Sequence, residues 1–442
     1  MIRRLRFLWI SEDIRNRLLI TFALLALYRL AAQVPAPGVN RLVLQQLFAQ
    51  GGSGQTLFGL LDLLSGGTAS TFSVLAMGVY PYITAQIILQ VLVPIVPPLK
   101  RRMDEDPREG RKWMEKWTIM LAIPMAALNS IGQVRLFQQF AGESIVTFDM
   151  GLNLSSATLI ISMTAGTMFA IWLGELISEF GIKKQGLSLI IFSGIVSAMP
   201  VNLGRIFSAG TQILPLIIFL AILMTATIFV IVYVQEGRRH VPVMYPGRRV
   251  GNRMSMPVKG TLPLMVNMAG MIPIIFAQSI LTFPAVLAQF FVPSTNPFLS
   301  GLGVWLQTNF GGFNNTYWIL YFVMVVAFTF FYTDILFQQQ NYGQNLKRSG
   351  AQIPGVTKGA PTQRYLTRVM RRVTFVGAFF LGIVAIMPFL VGLVYPIAGS
   401  NTGVLLVSSA GLLIVVGVIR DTYRNIEAEL KLRGYDSALL VR

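Results

Sequence analysis

The stretch AMGVYPYIT, residues 76–84, occurs again in altered form as MAGMIPIIF, residues 268–276. The two copies share the pattern Gly-x-x-Pro-x-Ile, with Gly78, Pro81 and Ile83 in the first copy and Gly270, Pro273 and Ile275 in the second. A proline removes one backbone hydrogen bond and loosens the helix that contains it, which suits two helices that must separate. The pattern indicates an internal repeat, although a generic kinked helix would produce the same short match.

The composition predicts an integral membrane protein. Of the 442 residues, 54% are hydrophobic and only 12% are charged, whereas about a quarter of the residues in soluble domains are charged. The chain contains no cysteine, which excludes disulfides, thiolate metal ligands and a cysteine nucleophile. The single histidine, His240, lies in the basic stretch EGRRHVPVMYPGRR and is interpreted as a solvated side chain. We expect neither a metal site nor a cofactor.

Intervals without charged residues mark the predicted membrane spans. The first apolar run imitates a signal peptide, but Arg29 follows it before any plausible cleavage site, so we interpret it as a retained first span. The interval 63–99 fits a half-span followed by a full span. Two intervals, 260–333 and 373–419, are each long enough for two crossings, the first with a turn in NPFLSGLGVWLQTNFGGFNN. The other intervals are about 18–28, 117–134, 149–174, 185–204 and 206–235, and the total is ten spanning helices.

The two copies of the repeat fall in the second and the seventh predicted span, five spans apart. An odd shift reverses the direction of the second copy and so predicts an inverted repeat. The expected fold is therefore an all-α integral membrane protein with ten transmembrane helices in two pseudo-symmetric inverted halves of five. The halves are residues 1–205 and 206–442.

The distribution of Lys and Arg predicts the orientation. With the N-terminus and every second connection on one side, 32 of the 36 basic residues lie on that side. Basic residues are retained in the cytoplasm, so both termini and the long loops 235–262 and 338–372 are expected to be cytoplasmic.

The predicted spans contain almost no ionisable residue. Pumps and ion-coupled transporters place such groups near the middle of the membrane, so a secondary transporter, which also fits inverted repeats, is disfavoured. An intramembrane enzyme lacks a nucleophile with a base, and no Gly-x-x-x-x-Gly-Lys-Ser/Thr phosphate loop is present. The chain is expected to be a non-enzyme that relies on partners for any driving force.

The segment LFGLLDLLSGGT, residues 57–68, is apolar but too short to cross a bilayer. It carries Asp62 in its middle and ends at a pair of glycines. It fits a half-helix that folds back into a funnel-shaped, water-filled cavity on the external side of the membrane. The alternative is an interfacial amphipathic helix on the outer leaflet.

Several blocks resemble the SecY/Sec61 α family over nearly the whole chain. They are LLSGGTASTFSVLAMGVYPYITAQIILQ, KKQGLSLIIFSGIV, LPLMVNMAGMIPIIFAQSIL, FFYTDILF and NLKRSGAQIPG. The resemblance implies a passive channel that passes unfolded secretory chains and releases hydrophobic segments sideways into lipid. It also implies a bacterial plasma membrane location, and binding of signal sequences and nascent chains.

The resemblance further implies three groups of channel residues. The constricting pore ring would consist of Val79, Ile83, Ile191, Ile275 and Ile414. The plug, about residues 57–67, would include Phe58, Leu60, Leu61, Asp62, Leu63, Leu64, Gly66 and Gly67. A lateral gate would have the second and third spans on one side and the seventh and eighth spans on the other. It would carry Thr84, Asn129 and Asn267.

The two long basic loops are expected to bind partners. In the family they dock the ribosome and the motor ATPase SecA, and the small subunits SecE and SecG complete the channel; anionic lipids are an alternative ligand for the charge. The candidate residues are Arg238, Arg239, Arg248, Arg249, Arg253, Lys347, Arg348 and Lys358. After IPG many relatives have Arg-Pro-Gly, whereas this chain has Val356, Thr357, Lys358 and Gly359, so no specific contact is transferred to that position.

Overall fold

The structure is a computed structural model that is mostly helical. It describes residues 12–39, 72–141, 154–183, 185–208, 213–246, 249–250, 253–254, 258–292, 296–311, 314–394 and 409–432. The helices are α1 (Glu12–Ala31), α2 (Tyr80–Ile95), α3 (Pro97–Glu105), α4 (Pro107–Ala141), α5 (Leu154–Phe180), α6 (Gly186–Ser208), α7 (Ile213–Glu236), α8 (Ile272–Phe291), α9 (Pro297–Phe310), α10 (Asn315–Gln339), α11 (Tyr342–Arg348), α12 (Ala360–Val394) and α13 (Ser409–Leu432). The strands are β1 (Arg238–Tyr245), β2 (Arg249–Val250), β3 (Arg253–Met254) and β4 (Val258–Met265).

Four helical segments of the described chain are long and apolar enough to cross a membrane. They are Lys112–Val134, Leu154–Phe180, Asn315–Arg348 and Ala360–Met387. Shorter apolar helices cover Tyr80–Val93, Gly186–Ser197, Ile222–Glu236 and Ile272–Ala285. These segments agree with a helical membrane protein, while the count of ten spans stays a prediction.

Two parts of the predicted interval 260–333 differ from the expected pair of helices joined by a turn. Its first residues continue strand β4, and the expected turn forms the 14-residue helix α9. Asn296 caps this helix by accepting a hydrogen bond from the backbone N–H of Phe298, and Pro297 occupies its first position. Proline is favoured there because its missing N–H has no partner in the first turn.

The contacts divide the chain into two compact units. The first comprises Met1–Ile217, Ser279–Tyr317 and Val391–Arg442, and the second comprises Ile218–Gln278 and Trp318–Leu390. In the first unit, α5 packs against α1, α4 and α6, while α13 packs against α6. The predicted division into halves at residue 205 remains a prediction.

Close packing in the first unit depends on small residues. A Cβ atom on Gly166 would lie 2.1 Å from the backbone oxygen of Val74, and one on Gly186 would lie 1.7 Å from the backbone oxygen of Gly174. Thr21 of α1 also accepts a hydrogen bond from the backbone N–H of Ile182, just after α5. These contacts hold α1, α5 and α6 near the segment that leads into α2.

Charged residues gather at one end of the first unit. The carboxylate of Glu429 on α13 lies 3.3 Å from Arg17 and 3.4 Å from Lys183. Asn425 donates a hydrogen bond to the backbone oxygen of Lys183. These residues come from three segments that the charge distribution assigns to one side of the membrane.

The second unit contains an antiparallel β-hairpin that the sequence analysis treated as a loop. Strands β1 and β4 pair from Arg238↔Met265 to Tyr245↔Val258, and β2 pairs with β3 nearer the tip. Side chains alternate along β1, with Val241 and Val243 buried. This alternation follows from the geometry of a strand, whose successive side chains point to opposite faces.

Candidate functional site

The repeated motif adopts the same backbone turn in both copies. Gly78 has φ of 50° and Gly270 has φ of 66°, a left-handed conformation that disfavours residues with a Cβ atom. Helix α2 begins two residues after Gly78, and α8 begins two residues after Gly270. The motif is therefore a helix-entry turn, present once in each of the two units.

This geometry corrects the role expected for the two prolines. Pro81 and Pro273 are each the second residue of their helix. The first four N–H groups of a helix have no partner within it, so neither proline removes a helical hydrogen bond. The expectation that they loosen their helices is wrong, because they lie at the start of the helix and not inside it.

Hydrogen bonds fix the two turns in equivalent ways. The N–H of Gly78 donates to the backbone oxygen of Leu75 at 2.8 Å. The N–H of Gly270 donates to the side-chain oxygen of Asn267 at 2.9 Å, and the side-chain amide of Asn267 donates to the backbone oxygen of Gly270 at 3.0 Å. The acceptor lies three residues before the glycine in both copies.

All five residues assigned to the pore ring are buried within the described structure. Val79 caps α2, and Ile83 and Ile275 lie in the first turns of α2 and α8, where their N–H groups bond the backbone oxygens four residues earlier. Ile191 and Ile414 belong to α6 and α13, two helices that pack together. The relative exposures are 1% for Val79, 8% for Ile83, 7% for Ile191, 8% for Ile275 and 2% for Ile414.

The three residues assigned to the lateral gate are also buried. Thr84 donates its hydroxyl to the backbone oxygen of Tyr80 in its own helix at 2.8 Å. Asn267 forms the turn before α8, as described above. Asn129 lies on α4, which packs against α2. These side-chain hydrogen bonds of Thr84 and Asn267 remain within their own segments.

A residue that the sequence analysis missed joins the two proposed gate helices. Tyr80, the first residue of α2, donates its phenolic hydroxyl to the backbone oxygen of Ser279 on α8 at 3.1 Å. Both residues are buried and both belong to the first unit. The signal available in the sequence was the hydroxyl group of Tyr80 within an otherwise apolar motif. A buried tyrosine hydroxyl usually requires a hydrogen-bond partner.

The plug assigned to residues 57–67 lies outside the described residues, as does Arg248. Arg249 and Arg253 are described only as members of the short strands β2 and β3.

The two predicted basic loops form one folded structure in the second unit, here called the basic module (residues 238–265 and 337–370). Met244 of β1 and Gln352 exchange two backbone hydrogen bonds of 2.8 Å. The buried core contains Val241, Val243, Leu264, Phe337, Leu346, Ala351, Ile353, Leu366 and Met370. A shared core means that the two basic stretches present their charges from a common scaffold.

Five of the candidate partner-binding residues are exposed on this module. Arg238 and Arg239 lie on β1, Lys347 and Arg348 lie on α11, and Lys358 precedes α12. Arg238 lies 3.4 Å from Glu236, an exposed ion pair that contributes little to stability. The loop predicted at 338–372 is largely helical, since α12 begins at Ala360.

Comparisons with known proteins agree on one family. The sequence profile of the SecY family matches residues 73–423. A protein translocase subunit SecY from Chlamydia trachomatis is 37% identical over 461 aligned positions, which cover 98% of this chain and 97% of that protein.

Solved structures show the same fold. One, described as a protein conducting channel, is 18% identical with a TM-score of 0.63, covering 94% of this chain and 92% of the other. Sec61 in the canine ribosome-channel complex from the endoplasmic reticulum is 17% identical with a TM-score of 0.58, at the same coverage of both chains. The profile and the full-length relative together show that this chain belongs to the SecY family.

Proposed function

We propose that this chain is a passive protein-conducting channel. It passes unfolded secretory polypeptides across the membrane and releases hydrophobic segments sideways into the bilayer. The observation that carries this proposal is the full-length similarity to a protein translocase subunit, at 37% identity. The energy comes from partners, for which the translating ribosome and the motor ATPase SecA are the candidates.

The five buried aliphatic residues form the constriction of this channel. An apolar constriction excludes hydrated ions because water is unstable within it. It is also chemically indifferent, so polypeptides of any sequence can slide past it. The matching backbone positions of Ile83 and Ile275 in two copies of one turn support this assignment.

The lateral gate is the seam that has α2 and α4 on one side and α8 and α10 on the other. The hydrogen bond from Tyr80 to Ser279 holds α2 against α8 in the closed gate. Interhelical hydrogen bonds in a bilayer are typically worth about 1 kcal/mol. A hydrophobic signal sequence that enters between the helices therefore needs to overcome only the small free energy of this hydrogen bond.

The plug, residues 57–67, closes the outer side of the constriction with its leucines while Asp62 faces water. Deletion of residues 58–65 is expected to raise the ion conductance of the resting channel in planar bilayers. An unchanged conductance would exclude the plug role without affecting the rest of the proposal.

The basic module binds the partners on the cytoplasmic side of the bacterial plasma membrane. In this arrangement both termini are cytoplasmic, and the halves 1–205 and 206–442 carry the inverted repeats. Ribosomal RNA is a suitable ligand because phosphates bound by Lys and Arg release counterions, which makes the binding salt-sensitive. One structural neighbour is Sec61 in a ribosome-channel complex. SecE and SecG are the small subunits expected from the resemblance to the family.

The absence of cysteine permits a direct test of the channel. One cysteine is placed at Ile83 or Ile275, and another in a secretory polypeptide stalled during transport. Matched controls are Ile161→Cys on α5 and Ile319→Cys on α10, whose side chains are 67% and 65% exposed. We expect disulfides from the ring positions and none from the controls. Crosslinks at the control positions without crosslinks at the ring positions would contradict the proposal.

A further inference from the structure

A wide groove crosses the second unit between α12 and the segment formed by the end of α10 and α11. Its volume is about 1120 Å³. Five cationic side chains line it, and none of the lining residues is acidic. The cations are Lys347, Arg364, Arg368, Arg371 and Arg372.

The charge of this groove is only slightly compensated. Arg371 forms an ion pair with Asp334 at 3.1 Å. Among the described residues, the other four cations form no ion pair. Arg364 and Arg368 are four residues apart on α12, and like charges at this spacing destabilise a helix. An anion bound between them would remove that repulsion.

The groove changes from charged to apolar along its length. Phe375 follows the arginines on α12, and its ring lies 6.4 Å from that of Phe330 on α10. Phe375 is 54% exposed. Both aromatic residues belong to segments that are long and apolar enough to cross a membrane, Asn315–Arg348 and Ala360–Met387. The cations therefore lie near the end of a candidate span, beside an exposed apolar surface.

We propose that this groove binds one anionic phospholipid. The phosphate of the headgroup contacts Arg364 and Arg368, and an acyl chain lies along Phe375 towards the apolar part of α12. Basic pockets between membrane helices suit anionic headgroups, whereas an RNA backbone would not use the exposed aromatic end. The proposal deepens the proposed function by naming a ligand, but it requires only that the chain lies in a membrane.

The test measures lipid binding directly and does not require transport. The purified full-length chain is reconstituted in nanodiscs of phosphatidylcholine and phosphatidylglycerol, and the lipids that remain bound after extraction are counted by native mass spectrometry. The groove variant is Arg364→Gln with Arg368→Gln. The matched control is Lys112→Gln with Lys116→Gln, which removes two exposed cations that are also four residues apart on one helix, α4, and that lie outside the groove.

The unmodified chain and the control are expected to retain phosphatidylglycerol in preference to phosphatidylcholine. The groove variant is expected to bind phosphatidylglycerol about thirtyfold more weakly, since it removes two cations and each cation near an anionic lipid contributes on the order of 1 kcal/mol. Phe375→Ala is expected to shorten lipid retention while leaving the cations in place.

Three results would overturn the proposal. Equal losses of phosphatidylglycerol retention in the groove variant and the control would show that overall charge, and not the groove, causes the effect. Retention unchanged in the groove variant, with lost binding of a short RNA duplex, would assign the groove to nucleic acid. Displacement of the lipid by the same concentration of inorganic phosphate would show that the site recognises a free anion. None of these results bears on crosslinking at the ring, so the two proposals fail independently.

Discussion

The phenolic hydroxyl of Tyr80 donates to the backbone oxygen of Ser279, with 3.1 Å between the two oxygen atoms. This bond links the first residue of α2 to the middle of α8, nearly 200 positions later in the chain. Both residues are buried, so water does not compete for the bond. It is a direct side-chain link between the two helices proposed to part when the gate opens.

Tyr80→Phe is expected to ease opening of the gate. The variant keeps the ring and removes the donor, at a cost to the closed state of about 1 kcal/mol, or roughly a fivefold shift towards the open state. The measurement is transport into membrane vesicles of a secretory protein with a weakened signal sequence, which should increase several-fold.

The matched control for this prediction is Tyr82→Phe, in the same turn of α2. Within the described residues Tyr82 belongs to a cluster with Ala85, Ala122 and Ile171 and does not bond α8. Transport should stay near the unmodified level in the control. An equal increase of transport in both variants would contradict the role assigned to the hydrogen bond of Tyr80.

Gly270→Ala is expected to destabilise the protein through its backbone alone. A Cβ atom at this position would meet nothing within 4 Å, but the φ of 66° is left-handed. A left-handed conformation costs a residue with a Cβ atom about 1–2 kcal/mol. Thermal unfolding in detergent should therefore occur at a lower temperature, and Gly270→Asn should restore part of the loss because asparagine tolerates this conformation.

Gly301→Ala is the control for the effect of a methyl group. Its Cβ atom also meets nothing within 4 Å, and Gly301 lies inside α9, where alanine is favoured over glycine by about 1 kcal/mol. This variant should unfold at the same or a higher temperature. If Gly301→Ala lowered the unfolding temperature as much as Gly270→Ala does, the turn conformation would not be the cause of the destabilisation.

Phe337→Ala is expected to unfold the basic module. Phe337 is fully buried in the core that joins the hairpin to α11 and α12, and its ring lies 5.0 Å from that of Tyr342. Truncation of a buried phenylalanine costs about 3–5 kcal/mol. Limited proteolysis should then cut the module at much lower protease concentrations. Phe298→Ala, at a residue that is 76% exposed, should leave the cleavage pattern unchanged.

Gly166→Ala is expected to separate α5 from the segment that precedes α2. The new Cβ atom would lie 2.1 Å from the backbone oxygen of Val74, which cannot rotate away as a side chain can. Overpacking of this kind typically costs about 1–3 kcal/mol. A lower unfolding temperature than that of Gly301→Ala is the expected result, and equal temperatures would show that the backbone adjusts freely.

Several features were predictable because they depend on neighbouring residues. The repeat around Gly78 and Gly270 was visible from glycine and proline at fixed spacing, and the same turn indeed occurs twice. The role of the prolines was predicted incorrectly, because charge-free intervals do not show where a helix begins. Helix α2 begins at Tyr80, so Pro81 lies in its first turn and not in its interior.

The hairpin shows why the two basic loops were underestimated. Alternation of apolar residues in RRHVPVMY and VKGTLPLM was available as a signal for strands. The excess of positive charge instead favoured the interpretation of both stretches as cytoplasmic loops that bind partners. The pairing of Met244 with Gln352 joins stretches more than 100 residues apart, and no local pattern indicates such a partner.

The sequence by itself determined the apolar helices, the repeated glycine and proline motif and the family. These depend on composition, on spacing within a few residues and on similarity along the chain. Only the tertiary structure decided that Tyr80 bonds Ser279, that two distant basic stretches share one core, and that five cations line one groove. The physical reason is that these contacts join residues far apart in the chain, and their partners are selected by the packing of whole helices and strands.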